Sequence, residues 1–240
     1  MSELKIEWRW KTKGQFHIGS GIGRVGYADS VLRSDGNGNI FIPGDAVKGA
    51  IREGAERLLH WLLPAGSKDA PKLSFPDHPI LEGIFAPKRY KPFYRFFPGK
   101  HHGADSMCPA STAIDNQTGV ADDTTLRILE TLAPGVEFDV SVTGEGGDWL
   151  PPDASHPVGG DKKLTSDQLD VLFLLAALLA VEAIGGKKGI GHGEVAVEGL
   201  TCKVDDTDIL TTLLPNGKWK TALVEQLKGY TELGMEGGRQ

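Results

Sequence analysis

Cysteine is scarce: the 240 residues contain only Cys108 and Cys202. Two thiols cannot build the disulfide framework on which small secreted scaffolds rest, so a reducing, cytoplasmic setting is expected. At Met1-Ser2-Glu3-Leu4 there is no basic stretch leading into an apolar run, and no secretory signal is expected. Long hydrophobic runs are also lacking. The longest, Val171 to Val181, falls well short of the roughly 20 apolar residues that a membrane-spanning helix needs, so no membrane partner is expected. Nor is there an excess of positive charge: 26 Lys and Arg stand against 32 Asp and Glu, giving a net charge of −6. Bulk charge therefore does not draw this chain to nucleic acid, and any such binding must come from local basic patches. No internal repeat and no low-complexity segment is visible.

What is present is the composition of an ordinary soluble protein, 40% hydrophobic and 24% charged, long enough for a full core. Leu4, Ile6, Trp8 and Trp10 alternate with Lys5, Glu7, Arg9 and Lys11, which predicts a half-buried strand with one wet face. A glycine-rich stretch, Phe16 to Gly26, follows. Its Gly21 to Gly26 matches G-x-G-x-x-G in form, but no helical pattern comes after it, so a dinucleotide site fails the context that the motif requires. Ser34 to Asn39 reads as a hairpin turn. Phe41 and Ile42 then end a strand, Pro43-Gly44 turns, and Asp45 is placed to cap a helix to about Leu63. On that helix Val47, Ile51, Ala55, Leu58 and Leu62 form the apolar face, while Lys48 and Arg52 share another face near its start. Two cations beside a helix N-terminus can hold a phosphate; they can equally be a solvated face. Gly44 to Gly49 is no P-loop, because Ala50 stands where the lysine must be.

From Ala65 to Asp123 periodicity is poor and the chain reads as a long loop. Within it, Lys88, Arg89, Lys91 and Arg95 interleave with Tyr90, Phe93, Tyr94, Phe96 and Phe97, and no acid occurs between Gly83 and Ala104. Cations for phosphates between aromatic faces for bases suit single-stranded nucleic acid; alternatively the aromatics anchor the segment and the cations stay solvated. Leu126 to Leu132 and Val136 to Val142 are predicted as two strands joined at Pro134-Gly135. Thr165 or Ser166 caps a second, mostly apolar helix through Glu182. A last strand, Glu194 to Val204, slips phase at Gly199, a predicted bulge, and Cys202 is read as a small core residue. The order is β-α-β-β-α-β, so the expected fold is α+β and ferredoxin-like (RRM-like). It forms one domain, 1–240, with an insertion at 64–124 and a tail at 205–240 that adds a short helix around Trp219 to Leu227.

After the second helix, Gly185 to Gly193 holds five glycines and the pair Lys187-Lys188. One glycine ends a helix; the excess points to backbone N–H groups and lysines lying against a phosphate chain. With this loop the sequence resembles the RAMP superfamily of CRISPR-associated proteins, most closely the backbone subunit of type III effector complexes. The likeness is carried by His17 to Gly21, Ile42-Pro43-Gly44 with Lys48 to Arg52, Ala113-Ile114-Asp115 with Thr118-Gly119, Glu130 through Pro134-Gly135 to Phe138, and Gly185 to Val195.

The resemblance implies a subunit that binds CRISPR guide RNA, pairs it with target RNA, and stacks on other effector subunits and further copies of itself. Taken with the residue reading, RNA is expected to be met by His17, Gly19, Ser20 and Gly21, by Lys48, Arg52, Lys187 and Lys188, and by the basic segment with Lys88, Arg89, Lys91 and Arg95. The resemblance also implies a target-cutting aspartate, matched by Asp29, with Asp35 the weaker match. A lone carboxylate is a feeble base at neutral pH, so Mg²⁺ or another divalent cation is expected as cofactor. The alternatives are a non-catalytic scaffold of the same complex and a guide-processing endoribonuclease of the same superfamily. His101, His102 and Cys108 are zinc-type side chains, but no fourth ligand is evident and no metal site is assigned. His17 is expected to pack or hydrogen-bond beside the glycine loop.

Overall fold

The period-two pattern of residues 3–12 becomes the strand on which the sheet is built. A computed structural model describes residues 2–62, 78–86, 93–101, 106–112, 117, 120, 126–150, 164–213 and 223–224. In it β1 (Glu3–Thr12) is flanked by β9 (Glu137–Glu145) and β10 (Val195–Val204), both antiparallel to it. Outside β9 lie β3 (Phe93–Phe96) and β4 (Gly99–His101), then β2 (Phe41–Ile42); β11 (Thr207–Asp208) borders β10. Two small ribbons pair β5 (Ser106–Met107) with β8 (Thr131–Leu132), and β6 (Ala110–Ser111) with β7 (Arg127–Ile128).

Helix α1 (Gly44–Leu62) buries Val47, Ile51, Ala55 and Leu58, as the spacing requires. It opens at Gly44, so Asp45 stands in its first turn and does not cap it. Helix α3 (Ser166–Leu179) starts at Thr165, whose hydroxyl accepts Gln168 N–H in a capping box, a feature worth about 1 kcal/mol. It stops before the predicted Glu182. Arg57 of α1 reaches its end, donating to the Ala180 carbonyl at 2.6 Å and to Glu182 at 2.5 Å, so a cation satisfies the C-terminal dipole. The two helices touch where Gly54 meets Ala177; a Cβ on Gly54 would stand 2.5 Å from the Ala177 carbonyl oxygen. Trp10, Phe16, Phe138 and Phe173 fill the core between helices and sheet. The Gly199 slip is a bulge: the register shifts between Glu7 and Arg9, and Gly199 has φ +60°.

The second strand of the β-α-β-β-α-β order is not Leu126–Leu132. It is β3, which pairs with β9 from inside the segment read as a loop. Tyr94 is 7% exposed, with its ring 6.5 Å from Trp149, and Phe96 stacks on Phe85 at 5.8 Å. These aromatics are core anchors. Burial, with Asp170 nearby, pushes the Tyr94 phenol well up from its ordinary range. The same segment contributes α2 (Pro79–Phe85), capped by His78, whose short apolar run gave no period to read. Beyond β11, α4 (Leu210–Leu213) adds a turn. Of the helix expected around Trp219, only Leu223 and Val224 are described, and both are helical. Lys88, Arg89, Lys91, His102 and the Ala113 to Asn116 motif lie outside the described residues. No helix among the described residues is long and apolar enough to cross a membrane.

Candidate functional site

The open face of the sheet is where an RRM-like fold could present aromatic rings to bases. Here it is a lattice of ion pairs. Arg9 meets Glu137 at 3.0 Å and Asp139 at 3.0 Å; Lys11 meets Glu137 at 3.5 Å and Glu198 at 3.8 Å. A groove of about 670 Å³ on this face carries Glu7, Asp139 and Glu198 against Arg9 and Lys100, with Phe97 at one side. Its acids outnumber its cations, so it does not favour a phosphate chain. Arg95, on β3, lies over the Phe93 ring at 5.5 Å with Glu145 at 3.9 Å.

The other surface of interest lies where β1 ends and β9 and β10 begin. Three stretches of the sequence converge there: the glycine-rich segment with Asp29, the run before β9, and the Gly185 to Gly193 loop. From Phe16 the chain makes a long antiparallel finger. Gly19 bridges Leu32, Ser20 N–H donates to the Val31 carbonyl at 3.0 Å, and Arg24 bridges Ala28 beside the tip. Its returning arm, Ala28 to Leu32, lies beside residues 128–130, with Ser30 in a parallel bridge to Leu129. Gly21 and Gly26 take φ +83° and +74° with open space around them, which is why glycine suits these bends.

Asp29 is exposed on that arm, and its Oδ2 accepts the Ile128 N–H at 2.7 Å. Its Oδ1 has no hydrogen-bond partner among the described residues. Asp35 is committed elsewhere. Its Oδ1 accepts the N–H groups of Asn37 and Asn39 and its Oδ2 the Asn39 amide, hydrogen bonds that hold its carboxyl below the usual range.

His17 joins the finger to the second glycine-rich loop. It is 5% exposed, and its Nδ1 donates to the Glu130 carbonyl at 2.7 Å. In the neutral ring this leaves Nε2, 3.2 Å from Ser30 Oγ, to accept that hydroxyl. The His17 carbonyl accepts Gly186 N–H at 3.1 Å, and the Gln15 carbonyl accepts Gly193 N–H at 2.8 Å. His17 thus holds the site together, as expected, and is not itself presented to solvent. A Cβ on Gly185 would run into the His17 carbonyl oxygen, and one on Gly193 into the Ile184 carbonyl oxygen, so packing explains these two glycines. Gly189 has nothing within 4 Å. Burial, with His17 and Lys187 nearby, lowers the affinity of His192 for a proton.

The cations Lys48, Arg52, Lys187 and Lys188, expected to meet RNA, divide into two kinds. Lys188 is bonded to Glu53 of α1 at 2.5 Å, and Arg52 to Glu56 at 3.0 Å. Lys187, exposed in a left-handed conformation with φ +64°, and Lys48, half-buried, make no ion pair among the described residues. Two further exposed cations on the finger are not among the RNA contacts expected from the sequence: Arg24, over the Tyr27 ring at 5.5 Å, and Arg33, over the Phe41 ring at 5.9 Å. Among the described residues no three His, Cys, Asp or Glu side chains come together as a metal cage. His101 packs its ring 5.4 Å from Phe138. Cys108, with the Glu130 carboxylate, holds the proton of the Tyr27 phenol above its ordinary range.

Over residues 10–196 the chain matches the family model of the RAMP superfamily. The chain belongs to the RAMP superfamily. The ferredoxin-like topology agrees with that membership. Among solved structures, this RAMP chain is similar to a chain in a cryo-EM structure of the type III-B Cmr-beta bound to cognate target RNA. The TM-score is 0.51 and the identity 15%, over 85% of this chain and 61% of that one. The likeness is one of fold, and this RAMP chain spans about three-fifths of that neighbour's length. Comparison with curated proteins finds no match.

Proposed function

We propose that this RAMP protein is a guide-RNA-binding backbone subunit of a type III CRISPR effector ribonucleoprotein that cuts target RNA through Asp29. One observation carries the reading: an exposed aspartate, held by one carboxylate oxygen to a backbone N–H, on a finger joined through His17 to a glycine- and lysine-rich loop. In this reading the guide backbone follows Lys187, Lys188, Lys48 and Arg52, with the glycine-rich segment His17 to Gly21 alongside. The target and the neighbouring subunits or further copies of the chain lie beyond the finger. Family membership supports it, as does the structural neighbour, a type III-B Cmr-beta bound to cognate target RNA.

Cleavage by in-line attack of a 2′-hydroxyl needs that hydroxyl deprotonated or the departing oxygen neutralised. A hydrated divalent cation such as Mg²⁺ would supply both, and it keeps most of its waters, so one carboxylate oxygen suffices to hold it. Asp29 Oδ1 is the oxygen that fits that task. The finger contributes position: its hydrogen bonds fix where the carboxylate stands relative to a phosphate chain on the lysines.

The test is to purify the complex containing this chain, recover its RNA, and supply a complementary target with Mg²⁺ and with chelator. Metal-dependent cuts in the target, at regular positions and absent in Asp29→Asn, are expected. Cuts in a guide precursor instead would establish the processing enzyme, and bound RNA with no cuts would establish the scaffold.

A further inference from the structure

Glu130 takes no part in the chemistry above, yet its carboxylate ties the Asp29 arm down on both sides. Its Oε2 accepts the Leu32 N–H at 2.8 Å. Its Oε1 accepts the Tyr27 hydroxyl at 3.0 Å and the Ser106 hydroxyl at 2.8 Å. The Glu130 N–H donates to the Ser30 carbonyl at 3.0 Å, and the Glu130 carbonyl takes the His17 Nδ1 proton. One residue therefore meets the arm before Asp29, at Tyr27, and after it, at Ser30 and Leu32. Apolar packing contributes little further out: Ile22 is 66% exposed and Val25 104%. Only Ala28 and Leu32 of the arm are buried, so its order depends on these polar bonds.

We propose that Glu130 is a positioning residue, whose carboxylate holds the Tyr27–Leu32 arm so that Asp29 is delivered at one fixed place. Its role in cutting rests on the reading of Asp29 given above; its role in ordering the arm does not. The side chain bridges two strands of different sequence origin, and a glutamine could make the same bridge. Its carbonyl would accept Leu32 N–H, and its amide would donate to the Tyr27 and Ser106 oxygens.

Amide hydrogen exchange on the full chain separates the possibilities. In Glu130→Ala, exchange at Leu32 and Asp29 should speed up by about tenfold or more, while Ile6 and Trp10 of β1 stay protected. Glu130→Gln should remain near wild type. Tyr27→Phe, which removes one bond and no buried group, should loosen the arm by a smaller factor; it decides the matter if the alanine variant also loses β1 protection. Unchanged exchange at Leu32 in both Glu130→Ala and Tyr27→Phe would overturn the proposal. In target cutting, Glu130→Ala should lower the rate at saturating target and scatter the cut positions at unchanged target affinity, and Glu130→Gln should restore both. If Glu130→Gln loses cutting as fully as the alanine variant, charge and not position is what matters, and the proposal fails. If the wild-type complex cuts no target, the cleavage reading fails instead, and exchange still decides whether Glu130 orders the arm.

Discussion

Asp29 and Ile128 hold each other from both sides: the Asp29 N–H donates to the Ile128 carbonyl at 2.8 Å, and the Ile128 N–H donates to the Asp29 carboxylate at 2.7 Å. The carboxylate is thus structural at one oxygen and open at the other, and substitutions can separate the two roles. Asparagine keeps an acceptor for Ile128, so Asp29→Asn should melt like wild type and bind target normally while losing cleavage. Asp29→Ala also removes the acceptor and should cost about 1 kcal/mol in addition. Asp35→Asn should cut at the wild-type rate, because both Asp35 oxygens serve its own turn. Cutting by Asp29→Asn at the wild-type rate would remove Asp29 from the chemistry.

Cys202 lies in the core on β10, and burial pushes its thiol up to about 12 from an ordinary value of 9.0. The sign follows from proton counting. Between these values the unfolded chain has released the proton and the folded chain still holds it, so stability falls as pH rises above about 9. The slope there is roughly 1 kcal/mol per pH unit, absent below about pH 8. Denaturant midpoints from about pH 8 to 11 should show this arm in wild type and lose it in Cys202→Ala, which is less stable at neutral pH and closes the gap as pH rises. An identical alkaline slope in the variant would assign the effect to other groups. Thiol reagents should modify half-buried Cys108 in the native state and reach Cys202 only on unfolding.

The strands with clean alternation, β1 and β9, were legible because one face of each is core and the other water. So were the Thr165 cap and the Gly199 bulge, which depend on local chemistry alone. β3 was not legible. Its outward residues Phe93 and Arg95 and its inward Tyr94 and Phe96 make three aromatics in four positions, which hides the period of two. In the candidate site, His17 and the glycine-rich loop could be picked out by composition, whereas Glu130 stood only as the first residue of the run to Phe138, with nothing near it in sequence to mark its role. It is the sole carboxylate between Leu126 and Val136, and its importance comes from partners about a hundred residues away. Glu53 and Glu56 were invisible as partners of Lys188 and Arg52 in the same way, since a helical face read for its cations hides its acids.

The glycines of the second loop offer a test of what the loop is for. Gly185 and Gly193 sit at φ +88° and +82° with carbonyl oxygens where a Cβ would go. Gly185→Ala and Gly193→Ala should therefore destabilise strongly, by a few kcal/mol each, through steric contact and strain. Gly189 has open space around it, so Gly189→Ala should leave the melting temperature unchanged. If the loop backbone lies along RNA, that same variant should weaken RNA binding, because the added methyl stands where the phosphate chain approaches. Unchanged RNA affinity in Gly189→Ala would leave the loop with a purely structural role.

The four cations near α1 should not contribute equally to RNA binding. Lys188 and Arg52 begin in ion pairs with Glu53 and Glu56, and to meet a phosphate each must give up a carboxylate. An exposed pair is worth at most about 1 kcal/mol, so the exchange is possible, but part of the counterion release is already spent within the protein. Lys48 and Lys187 have no such pair among the described residues. Lys48→Ala and Lys187→Ala should each flatten the dependence of log K on log salt by about one unit, and Lys188→Ala and Arg52→Ala by less. Glu53→Gln should do the opposite: it releases Lys188, tightens RNA binding at low salt and steepens the slope. All five variants can be compared by titrating one unstructured RNA from about 50 to about 300 mM salt, since phosphate contacts act on every sequence alike. Equal slopes for the four alanine variants, with no gain from Glu53→Gln, would mean that these acids do not restrain the lysine and arginine beside them. Loss of affinity without any change of slope would mean that the cations support the fold and do not touch RNA.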